Sequence, residues 1–230
     1  MKLSVVMPVL NERTGVSRRL AELAPLRAQG VEVIVVDGSS SDGTAEAAAR
    51  LADRVLVAPR GRASQMNAGA GAASGELLLF LHADTRLPLD AARLISCGLR
   101  ASGRAWGRFD VRIEGAHPLL PVVARLMNLR SRYTGVATGD QAMFVRADAF
   151  AKVGGFPDIA LMEDIAISRR LKRLSSPLCL RACVATSGRR WDEKGFWKTV
   201  LLMWRLRLAF FLGADPNDLA RAYGYRPREN

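Results

Sequence analysis

The chain has 230 residues, 49% of them hydrophobic and 24% charged, which suits one large or two small globular domains with a buried core and excludes a disordered chain. Its formal net charge of +12, from 34 Lys and Arg against 22 Asp and Glu, favours anionic partners such as nucleic acid, anionic lipid or phosphorylated substrates. The three cysteines, Cys97, Cys179 and Cys183, lack zinc-ligand spacing with histidines and read as reduced core residues of a cytosolic protein.

The Met1-Lys2 start runs straight into a strand-like segment at 3–6, so no signal peptide is expected. That strand leads into Pro8-Val9-Leu10-Asn11-Glu12, with Asn11 as the expected helix cap and Val16, Leu20 and Leu23 on one helical face. A second apolar run, 31–36, ends in Asp37-Gly38-Ser39-Ser40-Ser41-Asp42-Gly43-Thr44, and Ala45, Ala48, Ala49 and Ala52 then repeat the helical spacing. Residues 54–57 read as a strand and 63–73 as a small-residue helix. The third run, 77–81, ends in His82-Ala83-Asp84-Thr85, and Pro88 opens a helix burying Ala92, Ile95 and Leu99. These repeated β-α-β units predict an α/β fold: a mostly parallel open sheet with helices on both faces.

The second half is less regular. Residues 106–113 alternate as a half-exposed strand, whereas His117-Pro118 and Pro121 read as chain breaks. Residues 138–145 resemble a strand entering from a loop. A helix begins near Glu163-Asp164 with Ile167, Leu171 and Leu174 inside, 179–185 is a strand, and the chain is helical from Trp191 to a turn at Gly213 and Asp215-Pro216. The apolar stretch 196–212 is interrupted by Lys198, Arg205 and Arg207. It is therefore expected to lie on the protein or on a membrane surface rather than to span a bilayer. No repeat or linker divides the chain. A single domain is expected, with a nucleotide-binding half at 1–100, an acceptor half at 101–192 and a helical extension at 193–230.

An apolar run ending in turn-forming and acidic residues reads as a buried parallel strand opening onto a crevice, the edge where open α/β sheets bind ligands. Three such edges, each with a carboxylate, suggest a nucleotide and a metal ion. Asp84 either holds Mg²⁺ or Mn²⁺ with water and phosphate oxygens or caps the turn before Pro88. Asp37 is suited to accept from a base N–H or a ribose hydroxyl. Glu163-Asp164 either complements a helix dipole or supplies a general base, with the dipole expected to lower the carboxylate pKa. Arg189-Arg190-Trp191 either grips phosphate and sugar or forms a solvated basic turn, and His117 reads as structural. The glycines between Asn67 and Gly75 imitate a dinucleotide fingerprint but precede a strand, which argues against NAD binding.

In order and spacing, these segments resemble family-2 glycosyltransferases of the GT-A fold over roughly residues 3–192. The carrying stretches are Val5 to Glu12, Val35 to Thr44, Asn67 to Gly75, Leu81-His82-Ala83-Asp84, Gly139-Asp140-Gln141, Gly154-Gly155-Phe156 and Glu163-Asp164. The resemblance implies inverting transfer of a sugar from a nucleotide diphosphate donor, a UDP-sugar being expected, to an acceptor hydroxyl. It implies donor contacts from Pro8, Asn11, Glu12, Asp37, Ser39, Arg62, Asn67, His82 and Asp84, with Asp84 as the metal ligand for Mg²⁺ or Mn²⁺. It implies Asp164 as the base and an acceptor side of Gly139, Asp140, Gln141, Glu163, Arg189, Arg190 and Trp191. His82 stands where the family's metal motif has its first aspartate. That triplet, the short length and Arg189-Arg190-Trp191 resemble a small bacterial subgroup associated with arsenosugar biosynthesis. A cytoplasmic setting is expected, with the last helix touching lipid, its own core or a second subunit, and with no specific nucleic-acid partner. The position after the first strand holds no Gly-rich basic phosphate loop, which argues against a sugar-nucleotide pyrophosphorylase. The remaining alternative is a non-enzymatic basic protein binding anionic membrane or nucleic acid.

Overall fold

The computed structural model describes residues 1–225. Its centre is an eight-stranded sheet in the order β3-β2-β1-β4-β7-β6-β8-β5. The strands β1 (Leu3–Val9), β2 (Glu32–Asp37), β3 (Arg54–Val57) and β4 (Leu77–Phe80) pair in parallel. The helices between them are α1 (Arg13–Ala28), α2 (Thr44–Ala49) and α3 (Arg62–Ala72). Near-continuous Val, Ile and Leu runs suit this position because β1, β2 and β4 are covered on both faces. α1 buries Val16, Leu20 and Leu23 as expected, with Leu26 added. α3 lies close on β1 and β2 because Gly69 has no side chain: a Cβ there would collide with Val6 Cγ1 and stand 2.9 Å from Val36 Cγ2. The fingerprint-like glycine thus serves helix–sheet packing.

The sheet then changes direction. β7 (Phe144–Arg146) runs antiparallel to β4 and to β6 (Trp106–Glu114), β6 is parallel to β8 (Leu178–Ser187), and the two-residue β5 (Thr85–Arg86) closes antiparallel on β8. The sheet is therefore parallel in its first half and mixed in its second. Helix α4 (Ala91–Ser102) starts three residues after Pro88 and buries Ala91, Ile95 and Leu99, with Ala92 only half-buried. α2 is shorter than expected, and only Thr44 and Ala48 are buried in it.

Several second-half expectations are corrected. β6 is buried through its first four residues rather than half-exposed. Pro121 does not break the chain but sits in the first turn of α5 (Leu120–Thr134), where its missing N–H has no helical partner to lose. Residues 138–145 are not one strand: Gly139–Gln141 forms a 3-10 turn before β7. Asn11 does not cap α1; that position belongs to Glu12. Cys97 and Cys183 are exposed and Cys179 is half-buried, so none is a core residue. The remaining helices are α6 (Ala147–Lys152), α7 (Glu163–Leu171), α8 (Arg189–Lys194), α9 (Phe196–Phe211) and α10 (Pro216–Tyr223).

Candidate active site

The carboxyl ends of β1 and β4, the turn before β7, the start of α7, and α8 to α10 enclose one cleft of about 740 Å³. Pro8, Glu12, Arg62, His82, Asp84, Gly139, Asp140, Glu163, Asp164, Arg189, Arg190 and Trp191 all line it. Residues from Pro8 to Trp191 thus meet where the sheet order places its ligand edge.

Asp84 leaves β4 on the turn into β5 and is exposed, with one oxygen accepting from Thr85 Oγ1 at 3.3 Å. Glu12 faces it from the β1 end. Burial raises the Glu12 pKa and the charges of Asp84 and Asp42 add to this, against Arg189, which lowers it. His82 is nearly buried, with Nδ1 3.7 Å from Asp140 Oδ1. Burial works to raise the Asp140 pKa, but His82, Arg62 and Arg207 outweigh it and hold the carboxyl below its ordinary value. His82 and Asp140 therefore act as a mutually oriented pair.

Glu163 and Asp164 open α7 side by side but differ in surroundings. Asp164 Oδ2 accepts the Gly139 N–H at 3.0 Å, and Oδ1 accepts the Ile165 N–H at 2.7 Å. Glu163 is 4% exposed. Burial, reinforced by Asp164, pushes its pKa up to about 7. The expected lowering by the helix dipole thus does not govern Glu163; desolvation wins.

Arg189, Arg190 and Trp191 form the first turn of α8. The Arg190 guanidinium stacks 3.6 Å from the Tyr223 ring centroid and donates to the Tyr223 carbonyl at 2.6 Å. Its buried Nε has no hydrogen-bond partner. Across the cleft, Arg62 donates to the Tyr225 hydroxyl at 2.7 Å and lies over its ring. Sequence reasoning missed these two tyrosines, along with Arg60 and a stripe of Thr199, Met203 and Arg207 on α9, all of which line the cleft. The stripe's four-residue spacing was a readable signal.

Five expected contacts do not line the cleft. Asn11 ties two loops together, its N–H donating to Ser40 Oγ at 2.8 Å and its Oδ1 accepting from the Ser41 N–H at 3.0 Å. Asp37 is buried and accepts from the Ser40 N–H at 2.8 Å and from its hydroxyl. Ser39 is an exposed turn residue with φ 65°. Asn67 spends its amide on the Phe156 backbone at 2.8 and 2.9 Å. Gln141 is fully buried, donating to Ser131 Oγ at 3.0 Å. Asn11, Asp37, Asn67 and Gln141 thus spend their side chains on neighbouring loops and turns. His117 is structural as expected, stacked on Phe196 at 4.2 Å.

Among the described residues no group of three or more His, Cys, Asp or Glu could hold a metal by itself. The acids present still fit Mg²⁺ or Mn²⁺, because such ions take one or two carboxylates and complete their shell with water and substrate phosphates. Asp84, exposed in the cleft, offers such a carboxylate.

Residues 4–114 match the family Glycosyl transferase family 2. Among curated proteins, the chain is 26% identical over 241 residues to "Probable glycosyltransferase YdaM" of Bacillus subtilis, covering 92% of this chain and 55% of the relative. It is 32% identical over 163 residues to "Undecaprenyl-phosphate 4-deoxy-4-formamido-L-arabinose transferase" of Yersinia enterocolitica, covering 64% of this chain and 48% of the relative. The chain thus spans about half the length of these relatives. Among solved structures it superimposes on Staphylococcus aureus TarS 1-349 in complex with UDP-GlcNAc with a TM-score of 0.66, at 19% identity, covering 82% of this chain and 59% of that one. It also superimposes on glucosyl-3-phosphoglycerate synthase from Mycobacterium tuberculosis, in complex with Mn²⁺, UDP and glucosyl-3-phosphoglycerate. There the TM-score is 0.64 at 20% identity, with 93% and 80% of the two chains covered.

The fold is that of the GT-A glycosyltransferase structures on which the chain superimposes. The first half of the chain carries the match to Glycosyl transferase family 2.

Proposed function

We propose that the chain transfers a sugar from a nucleotide diphosphate donor to an acceptor hydroxyl with inversion at the anomeric carbon. One observation carries this reading: Asp84 from the β4 end and Asp164 from α7 share a cleft walled by Arg62, Arg189 and Arg190. In this reading the arginines hold the diphosphate as point charges and forks. A Mg²⁺ or Mn²⁺ ion held by Asp84 together with diphosphate and water oxygens would neutralise charge on the leaving group. Asp164 takes the acceptor proton as the acceptor oxygen bonds to the anomeric carbon and the bond to the diphosphate breaks. The Gly139 N–H fixes the Asp164 carboxylate for that role. Structural neighbours in complex with UDP-GlcNAc, or with UDP and Mn²⁺, support a UDP-sugar and a divalent ion. The cytoplasmic setting and the arsenosugar-associated subgroup remain part of the same reading, the latter resting on the His82-Ala83-Asp84 triplet and Arg189-Arg190-Trp191.

The test is Asp164→Asn. It is expected to abolish transfer while leaving donor affinity within about twofold, because an amide cannot take the proton. Full-rate transfer by Asp164→Asn, with transfer lost in Glu163→Gln, would move the base to Glu163.

A further inference from the structure

Two helices turn apolar stripes to solvent. On α9, Trp197, Leu201, Trp204, Leu208 and Phe211 recur every three to four residues, and Leu212 follows; all six are between 58% and 79% exposed. α5 does the same with Val122, Leu126, Leu129 and Tyr133, preceded by Leu119 at its cap; Tyr133 is 85% exposed. Neither stripe belongs to the fold's interior. α5 turns its other face inward through Leu120, Val123, Ala124 and Met127, and α9 does so through Phe196 and Val200, in one shared core cluster. The helices are neighbours: His117, just before α5, stacks on Phe196 at the start of α9, and further along Arg130 feels the charge of Arg207.

Charge decides what covers this surface. α5 contains Arg125, Arg130 and Arg132, and α9 contains Lys198, Arg205 and Arg207, with no acidic residue in either helix. Arg125, Lys198 and Arg205 are exposed beside the stripes. A second copy of the chain would bring cations against cations, whereas an anionic bilayer offers apolar depth and negative headgroups together. No described helix is long and apolar enough to cross a membrane, which suits a contact lying in the interface plane.

We propose that α5 and α9 together form a docking surface for an anionic phospholipid bilayer, with the apolar stripes entering the headgroup region and the flanking cations pairing with phosphates. The surface lies outside the cleft, and it uses α5 as fully as α9.

The test is flotation of the full chain with phosphatidylglycerol-containing vesicles and with pure phosphatidylcholine vesicles. The outward position of Trp197 and Trp204 provides a fluorescence readout that brominated lipid should quench. Binding to anionic vesicles should weaken as salt rises. The pair Trp197→Glu/Trp204→Glu and, separately, the pair Leu126→Glu/Tyr133→Glu should each weaken it about tenfold or more. Glutamine at the same positions gives milder variants, and an unchanged thermal melt checks the fold. Arg125→Gln/Lys198→Gln/Arg205→Gln should weaken binding to anionic vesicles. Absence of vesicle binding, or binding that the α5 pair leaves unchanged, overturns the proposal. So does a dimer in light scattering that these substitutions dissociate while vesicles are ignored, which would assign the surface to a second copy.

Discussion

The Gly139 N–H donates to Asp164 Oδ2 at 3.0 Å, and the same glycine packs close to the imidazole of His82. One backbone position therefore sets both the carboxylate assigned as base and the histidine paired with Asp140. A Cβ at residue 139 would collide with the His82 ring. Gly139→Ala is expected to displace His82 or lengthen the bond to Asp164, lowering transfer roughly tenfold to hundredfold. Steady-state kinetics alongside circular dichroism separates this from unfolding, and unchanged kinetics would remove Gly139 from the account.

Gly69 and Gly71 share one helix but differ in what they meet. Gly69 faces Val6 and Val36, whereas a Cβ at Gly71 finds nothing within 4 Å. Gly69→Ala should cost about 1–3 kcal/mol through overpacking. Gly71→Ala should be neutral or stabilise by roughly 0.5–1 kcal/mol through helix propensity. Urea unfolding of the two variants checks the contrast.

The parallel half of the fold was legible because its buried strands are continuous apolar runs that stop at a carboxylate. Residues 77–81, ending at His82 and Asp84, are the plainest case. The second half hid its elements for physical reasons. Pro121 carries the local signal of a break, but at a helix start that signal reverses its meaning. α5 and α9 carry apolar residues on both their inward and outward sides, so apolar periodicity alone does not tell which side meets the core. At the site, Asp84, Glu163 and Asp164 were found as acids at element ends. Asn11, Asp37, Asn67 and Gln141 carry polar side chains just as such residues do, yet spend them on neighbouring loops and turns, a distinction that depends on tertiary partners. Arg207 looked like an interruption of an apolar run and proves to be a wall of the cleft.

Glu163 makes folding stability depend on pH. Its folded pKa of about 7 lies above the ordinary 4.5 because of burial and Asp164. The folded state therefore holds this proton more tightly than the unfolded chain does. That contribution is complete below about pH 4.5 and is lost as pH rises through about 7. Glu163→Gln should remove this part of the pH dependence, so that the variant gains stability relative to the parent between pH 5 and pH 8. Urea titrations at both ends of that window read the difference; a parallel pair of curves would contradict the raised pKa.

In the proposed function, the cleft around Asp84 is a nucleotide diphosphate donor site. Calorimetric titration with UDP and with GDP, each with and without Mn²⁺, tests it most directly, using the parent chain and Asp84→Ala. The expected result is metal-dependent binding of UDP by the parent, weakened about tenfold or more in Asp84→Ala by loss of the carboxylate ligand. Binding of neither nucleotide under any metal condition would contradict the donor site and leave a basic surface binder as the better description.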